Sequence, residues 1–358
     1  MSIRTIELPF KTKKSTLATG SQTKNTLCFL AGKRAYLSEL HQDLTRPDDF
    51  LSFEKDVKYF LHKKPKIIAY DLHPEYQSSK YALSLDPRAY TLEPIQHHHA
   101  HIVSCMIENE LSNQKVIGIA FDGTGLGADG TLWGGEFLVC NYKDFKRVAY
   151  LKEIPLFGGE RAILEPWRLL VAWTNQSKDQ KKLRIFRKMS LANFNSPLSS
   201  SMGRLFDAAA SLILGKDRAN YEAELAIELE RLAGSYASSI KGYNFKIIKN
   251  KDSYIIDPTP IFKGIAKDLQ EKLAKEKIAY RFHLTVAEII EKTCQLMRKR
   301  SKINKVVLSG GVFQNKILLN LSLESLKKNG FKVFFHKNLS CNDSGISLGQ
   351  AVIASYRS

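Results

Sequence analysis

Long apolar runs are missing from this 358-residue chain. No segment reaches the roughly 18 apolar residues that a membrane helix needs. The opening MSIRTIELPF has neither an apolar signal core nor a cleavage pattern, so export is not expected. Cysteine is scarce: Cys28, Cys105, Cys140, Cys294 and Cys341 are scattered, odd in number and without a CxxC pair. That argues against a disulfide framework or a cysteine zinc knuckle and fits a reducing cytoplasm. Acidic residues are short as well: 36 Asp and Glu stand against 54 Lys and Arg, a formal net charge of +18. The surplus favours anionic partners such as nucleic acid, phosphorylated ligands or an acidic protein face, unless the lysines only keep the surface solvated. The basic runs KDQKKLRIFRK (178–188) and MRKRSKINK (297–305) have little aromatic residue among the charges, so a platform for stacking single-stranded bases is poorly supported.

What is present is a hydrophobic fraction of 44%, enough for a large core in two lobes. Residues 1–24 are polar and basic and read as an N-terminal arm. Lobe I, 25–114, opens with NTLCFL and RAYLS, a strand pair around a turn. A helix over 49–63 follows, with Phe50, Leu51, Phe53, Val57, Phe60 and Leu61 at helical spacing. KIIAYD is a buried strand ending in a carboxylate. PEYQSSKYALSL reads as a helix with Pro74 in its first turn, YTLEPIQ as a strand, and 97–111 as a helix. Lobe II, 115–358, begins with the strand KVIGIAFDG, the glycine-rich turn GTGLGADG and the strand LWGGEFLVC. Residues 163–240 are mostly helical in pattern. Helices at 260–275 and 284–300, strands KVVLS and FKVFFH, and a closing helix at 344–356 complete the chain. Alternating strands and helices predict an α/β fold. Strand, glycine turn and strand occur near both 25–38 and 117–140, a repeat of architecture without repeat of sequence.

QHHHAHI (96–102) holds four of the nine histidines. If a helix begins near His97, then His97 and His101 stand at i and i+4 on one face, with rings able to reach one ion. His98 and His99 point elsewhere, toward the rim of a site. The plain alternative is a set of satisfied surface histidines. The cluster follows a strand directly, where ligands of α/β sheets usually bind. Asp122 ends the strand VIGIAF, and Asp343 in CNDSG precedes the last helix. A turn residue and a helix N-cap are their plain alternatives. Two imidazoles with one or two carboxylates suit zinc or ferrous iron.

DGTGLGADG (122–130) and SGGVFQN (309–315) place small residues after apolar strands, where backbone N–H groups can hold phosphate oxygens. Neither is a Walker loop or a GxGxxG fingerprint. Asn315 could select a ribose or a base. Asp207 lies on the largely apolar helix SMGRLFDAAASL, as buried structure or as a ribose ligand.

QHHHAHI, AFDGTGLGADGTLWGGEF, EPWR, SSMGRLFDAAASL, LSGGVFQN and NDSGISLGQA together resemble, in the same order, the carboxy-terminal Kae-like part of HypF, the carbamoyltransferase family of nickel–iron hydrogenase maturation. IELPF, KNTLCFL and AYDLHPEYQSSKYAL extend the match over nearly the whole chain. The resemblance implies a two-lobed fold of the acetate/sugar kinase, chaperone and actin type (ASKHA, Kae-like), with nucleotide between the lobes. It implies that His97, His101 and Asp343 bind a divalent iron or zinc, with Asp122 an additional or water-mediated ligand. Asp122, His97 and His101 form the implied catalytic group. Gly310, Gly311, Asn315 and Asp207 look like contacts to ATP, AMP or carbamoyl adenylate, and Lys24, Asn25 and Thr26 occupy a turn facing the phosphates. YEAELAIELE (221–230) departs from the family's approximate YEGQAAMELE: Ala223 and Glu224 replace a glycine and a glutamine near the nucleotide, where a new carboxylate would repel phosphate. NDSG has Ser344 for the usual glycine.

The implied reaction passes a carbamoyl group from carbamoyl adenylate to the carboxy-terminal cysteine thiol of a HypE-like protein. The chain starts where the family's YrdC-like domain would end, so carbamoyl phosphate activation is expected to need a separate YrdC-like polypeptide. Neither a membrane nor nucleic acid is expected as a partner. Two alternatives stay open: threonylcarbamoyl transfer to tRNA adenosine by the related TsaD/Kae chemistry, and a catalytically degenerate scaffold suggested by Ala223 and Glu224.

Overall fold

The computed structural model describes residues 3–177, 179–236 and 240–358. The first half consists of β1 (Arg4–Glu7), β2 (Thr16–Ala18), β3 (Thr23–Asn25), β4 (Cys28–Ala31), β5 (Arg34–Leu37), β6 (His41–Asp43), α1 (Pro47–Leu61), β7 (Ile67–Asp71), α2 (Gln77–Ser84), β8 (Thr91–Ile95) and α3 (His97–Glu108). A three-stranded run follows, β9 (Val116–Leu126), β10 (Leu132–Cys140) and β11 (Phe145–Leu151). Next come β12 (Ile154–Pro155), α4 (Arg161–Leu164), α5 (Trp167–Thr174), α6 (Gln180–Leu191), β13 (Leu198–Ser199), α7 (Met202–Leu214) and α8 (Glu224–Gly234). The remainder is β14 (Lys246–Asn250), β15 (Ser253–Asp257), α9 (Thr259–Gln270), α10 (Lys275–Ser301), β16 (Lys305–Ser309), α11 (Lys316–Lys328), β17 (Lys332–Phe335) and α12 (Ile346–Arg357). Lys178 and residues 237–239 of the helical stretch expected over 163–240, and residues 1–2 of the expected arm, lie outside the described residues.

The fold is doubled. In the six-stranded sheet the order is β1-β5-β4-β2-β7-β8, and in the nine-stranded sheet it runs β14-β15-β11-β10-β9-β16-β17, with β12 and β13 beside that path. In both, a central strand (β2 or β9) pairs antiparallel with one neighbour, which pairs antiparallel with the next. On its other side it pairs parallel with two strands in succession. This repeat corrects the reading of residues 1–24 as an arm: β1 is an edge strand and β2 is the centre of the first sheet, with Leu17 and Ala18 fully buried. A three-residue strand between KTKK and a glycine is too short to show periodicity, and only pairing with β4 and β7 reveals it.

Alternation along each strand sorts the core. Leu17, Phe29 and Ile68 face α1 and α2 on the outer side of the first sheet. Ala18, Cys28, Leu30, Ile67 and Ala69 face inward. There α12 lies against β2, β4 and β7, and α3 lies against β9 and β16, so the two helices form a layer between the sheets. The last helix, expected with the second lobe, therefore packs on the first sheet. The outer side of the second sheet is covered by α7, α8 and α10 around Phe121, Phe137, Phe206 and Phe282. Two glycines permit the middle layer. A Cβ on Gly118 of β9 would stand 2.7 Å from Ile102 of α3, and one on Gly349 of α12 would stand 1.9 Å from the Ala100 carbonyl oxygen.

GTGLGADG is not one turn. β9 continues through Gly125 and Leu126 and pairs with β10 to Leu132, and the turn is confined to the residues between them. The register shifts between Trp133 and Gly135, opposite Asp122, an irregularity of the kind that re-aims a side chain. Only Gly130, at φ 79, serves the turn, whereas Gly125 serves packing: a Cβ there would stand 2.8 Å from both the His97 and His98 rings. No helix among the described residues is long and apolar enough to cross a membrane.

Candidate metal and nucleotide site

Helix α3 starts at His97 because the Gln96 side chain accepts the His99 amide proton at 2.9 Å and caps the first turn. The expected i, i+4 pair follows, with the His97 and His101 rings 5.0 Å apart. Their Nε2 atoms converge on the Asp122 Oδ2, at 3.3 Å from His97 and 3.0 Å from His101. Asp343 comes from a distance of more than 200 residues, in a turn shaped by Asn342, whose side chain accepts the Ser344 amide. Asp343 Oδ1 stands 3.8 Å from His97 Nε2 and 3.7 Å from His101 Nε2. The four ligand atoms all lie within 4.8 Å of one another.

The separations of both imidazoles from Asp122 match those around a divalent ion, and Asp343 stands a few tenths of an ångström further out. Donors bound at about 2.1 Å in tetrahedral or octahedral geometry stand about 3.0–3.4 Å apart. The proton arrangement points the same way. His97 Nδ1 lies 2.8 Å from Asp71 Oδ2, and a carboxylate only accepts, so this nitrogen donates. Nε2 of the neutral ring is then a lone pair facing two carboxylates, an acceptor pairing that either a bound cation or a second proton on the ring relieves. Burial alone would depress His97, but Asp71, Asp343 and Asp122 overturn it and hold its pKa well above the usual imidazole value. His101 is raised against burial by Asp122 and Asp343. Asp122 is held well below the usual carboxylate range, since His101 and His97 outweigh its burial. Its Oδ1 accepts the amides of Gly123 at 2.9 Å and Gly311 at 3.0 Å, which leaves Oδ2 directed at the imidazoles.

Several expected residues serve the scaffold. His98 and His99 are fully buried, not on a rim. His99 Nε2 donates to the Asn141 carbonyl at 2.7 Å, and burial brings its pKa down to about 4. His98 Nδ1 accepts from Gln96, which also ties α3 to the Leu126 carbonyl. Asn25 donates to the carbonyls of Thr19 and Ser21. Thr26 bonds the Ser344 carbonyl and Ser347, fastening the first sheet to the Asp343 turn. Lys24 is exposed, with its ammonium close enough to act on the Cys341 thiol. Asn315 caps α11 through Leu318 and bonds His283, so its amide is not directed at a ligand. The SGG amides are also occupied: Gly310 donates to the Cys341 carbonyl, and Gly311 to Asp122. Gly310, at φ 101, has no space for a Cβ, which would meet the Phe121 carbonyl oxygen at 2.2 Å.

Sequence reasoning missed three residues here. Asp71, noted only as a strand end, orients His97. Tyr76, stacked on His73, is pushed well above the usual phenol value by burial and then by the charges of Asp71, Asp343, Asp122 and Glu222. Arg204 of α7 is almost fully buried, with Nε 3.1 Å from Asp207 Oδ2 and Nη2 3.1 Å from Glu222. The GRLFD spacing, i and i+3 on a helix, was the available signal. Burial, with Glu222, lifts the Asp207 carboxyl to about 6 against the pull of Arg204. Replacing Asp71 by asparagine is expected to weaken metal binding about 10–100-fold, read by titration with a chelator-buffered ion.

Glu224 turns back onto Asn220, accepting its amide and side-chain N–H groups at 2.5 and 3.1 Å. Ala223 caps α8 at φ 65, the left-handed region. Ala223→Gly is therefore expected to stabilise the protein by about 1 kcal/mol, measured by urea unfolding.

Comparison with known proteins bears on the family and the fold. Residues 118–350 match the family described as carbamoyltransferase, Kae1-like domain, second subdomain, and residues 11–108 match the HypF Kae1-like domain. The chain belongs to the HypF carbamoyltransferase family. It is 35% identical to carbamoyltransferase HypF of Rhodobacter capsulatus over 98% of this chain and 48% of that protein. It is 33% identical to a carbamoyltransferase HypF homolog of Cupriavidus necator, over 94% of this chain and 91% of the homolog. The crystal structure of full-length HypF in the phosphate- and nucleotide-bound form superposes with a TM-score of 0.91 at 41% identity, over 99% of this chain and 57% of that one. The chain thus spans about half the length of most curated HypF relatives it matches, with the C. necator homolog of similar length. The fold is the two-lobed ASKHA, Kae1-like architecture expected from the motifs.

Proposed function

We propose that this chain transfers a carbamoyl group from carbamoyl adenylate to the carboxy-terminal cysteine thiol of a HypE-like protein. The observation that carries the reading is the convergence of His97, His101, Asp122 and Asp343 on one point, in a chain of the HypF family. A divalent iron or zinc held by these four side chains would supply Lewis acidity toward the carbamoyl oxygen or the adenylate phosphate. Asp71 fixes the ring and tautomer of His97. The Gly123 and Gly311 amides fix the rotamer of Asp122. We place the nucleotide against the 310–311 turn, Lys24 and the Arg204–Asp207 pair, which border these carboxylates; Asn25, Thr26, Asn315 and Glu224 act as scaffold. That a full-length HypF has a phosphate- and nucleotide-bound form supports a nucleotide ligand for this reading.

The attacking thiol belongs to the partner. Cys28, Cys105, Cys140 and Cys294 are fully buried, with burial driving their thiols up, and Cys341 is pushed up to about 12. None is a thiolate nucleophile near neutral pH. The carbamoyl adenylate comes from a separate YrdC-like polypeptide acting on carbamoyl phosphate and ATP, and the setting is the cytoplasm. The test incubates the chain with HypE, carbamoyl phosphate, ATP and a YrdC-like protein. The carboxy-terminal peptide of HypE should gain the mass of one carbamoyl group. An unchanged peptide, with adenylate demonstrably formed, overturns the reading.

A further inference from the structure

Outside the four converging side chains lies a second buried polar chain. Glu108 Oε2 stands 2.6 Å from His336 Nδ1, and His336 Nε2 stands 2.9 Å from the Ser309 hydroxyl. The order acid, imidazole, hydroxyl is that of a nucleophilic triad. Ser309 is fully buried within the sheet, however, so no acyl group reaches it. The other oxygen of Glu108 indicates a different use. Oε1 accepts three consecutive amides, from Lys337 at 2.8 Å, Asn338, and Leu339 at 3.1 Å. A carboxylate at the end of α3 opposes the negative pole of that helix, and no basic residue lies in its last turn. Glu108 is thus unfavourable for its own helix and suited to the segment it grips. That segment leads through Ser340 and Cys341 to Asp343.

The three residues reach every element of the converging site. Glu108 belongs to α3, which carries His97 and His101. His336 follows β17 and opens the loop that delivers Asp343. Ser309 ends β16 and adjoins Gly310, which donates to Cys341, and Gly311, which donates to Asp122. We infer that Glu108, His336 and Ser309 form a buried positioning relay that sets the distance of Asp343 from the paired imidazoles. This rests on the metal-site reading above. The relay residues touch no reacting atom. They act through Asp343, as hydrogen-bonded partners behind metal ligands commonly do.

The probe is Co2+, titrated into the metal-free full chain and read by its visible absorption, whose intensity follows coordination number. Glu108→Gln keeps the shape and removes the charge that gathers three amides. It should weaken Co2+ binding at least about tenfold and change the intensity of the visible band. His336→Ala should do the same. His336→Asn restores a donor near the Nδ1 position and should recover most of the affinity, while Ser309→Ala should cost only a few-fold. A merely structural role would lower the melting temperature without altering the Co2+ spectrum of the protein that remains folded. Wild-type affinity and spectrum in Glu108→Gln, or in His336→Ala should the first variant not fold, overturn the relay. A wild-type chain that binds no Co2+ removes the metal centre itself, and the relay with it.

Discussion

Replacing His97 and His101 together by alanine is expected to abolish retention of the proposed metal and to lower the proposed carbamoyl transfer by about a thousandfold or more. Two of the four converging donors disappear, and the two that remain, Asp122 and Asp343, are carboxylates facing each other. Without imidazoles between them they repel, and Asp343, the more exposed, turns outward. Elemental analysis of the variant beside the wild type reads the result directly, with the melting temperature recorded to separate loss of metal from loss of fold. Equal metal content in the two proteins would exclude the site.

The second large effect concerns a residue that touches no ligand. Gly349→Ala should destabilise the protein by about 3 kcal/mol or more, and measurably lower the urea midpoint. The added methyl would overlap the Ala100 carbonyl oxygen at 1.9 Å and its carbon at 2.7 Å, and both are helix backbone that cannot swing aside. Relief requires α12 and α3 to move apart. Ala100 lies between His97 and His101, so the displacement reaches the imidazoles, and metal binding should weaken along with stability. A variant with the wild-type midpoint would mean that the two helices do not cross as closely as described.

Much of the site was legible in the residues. A pair at i and i+4 on a helix shares a face whatever the rest of the chain does, and His97 and His101 obey that rule. The Asp122 and Asp343 motifs were visible as well, although their separation from the histidines was not. The errors have a common physical source. KTKKSTLATG reads as a polar arm because its strand is three residues long and surrounded by lysines. GTGLGADG reads as one turn because glycine is frequent in turns, whereas Gly125 admits imidazole rings against a continuing strand and only the end of the stretch turns. Asn315 and Asn25 have the right chemistry for a ligand, but their amides are taken by neighbours distant in sequence or by backbone. Asp71, Glu108 and His336 gave no local signal, since each acquires its role only from what it meets.

By itself the sequence determined the family, the alternation of strands and helices, and the donor types offered to a metal, because these depend on residue identity and short-range spacing. Tertiary structure decided which donors meet, which polar groups are already satisfied, and that the last helix packs on the first sheet. Those outcomes depend on strand pairing and helix contact between segments far apart in sequence, such as Gly20 and Gln350, 330 residues apart, and no local pattern encodes them.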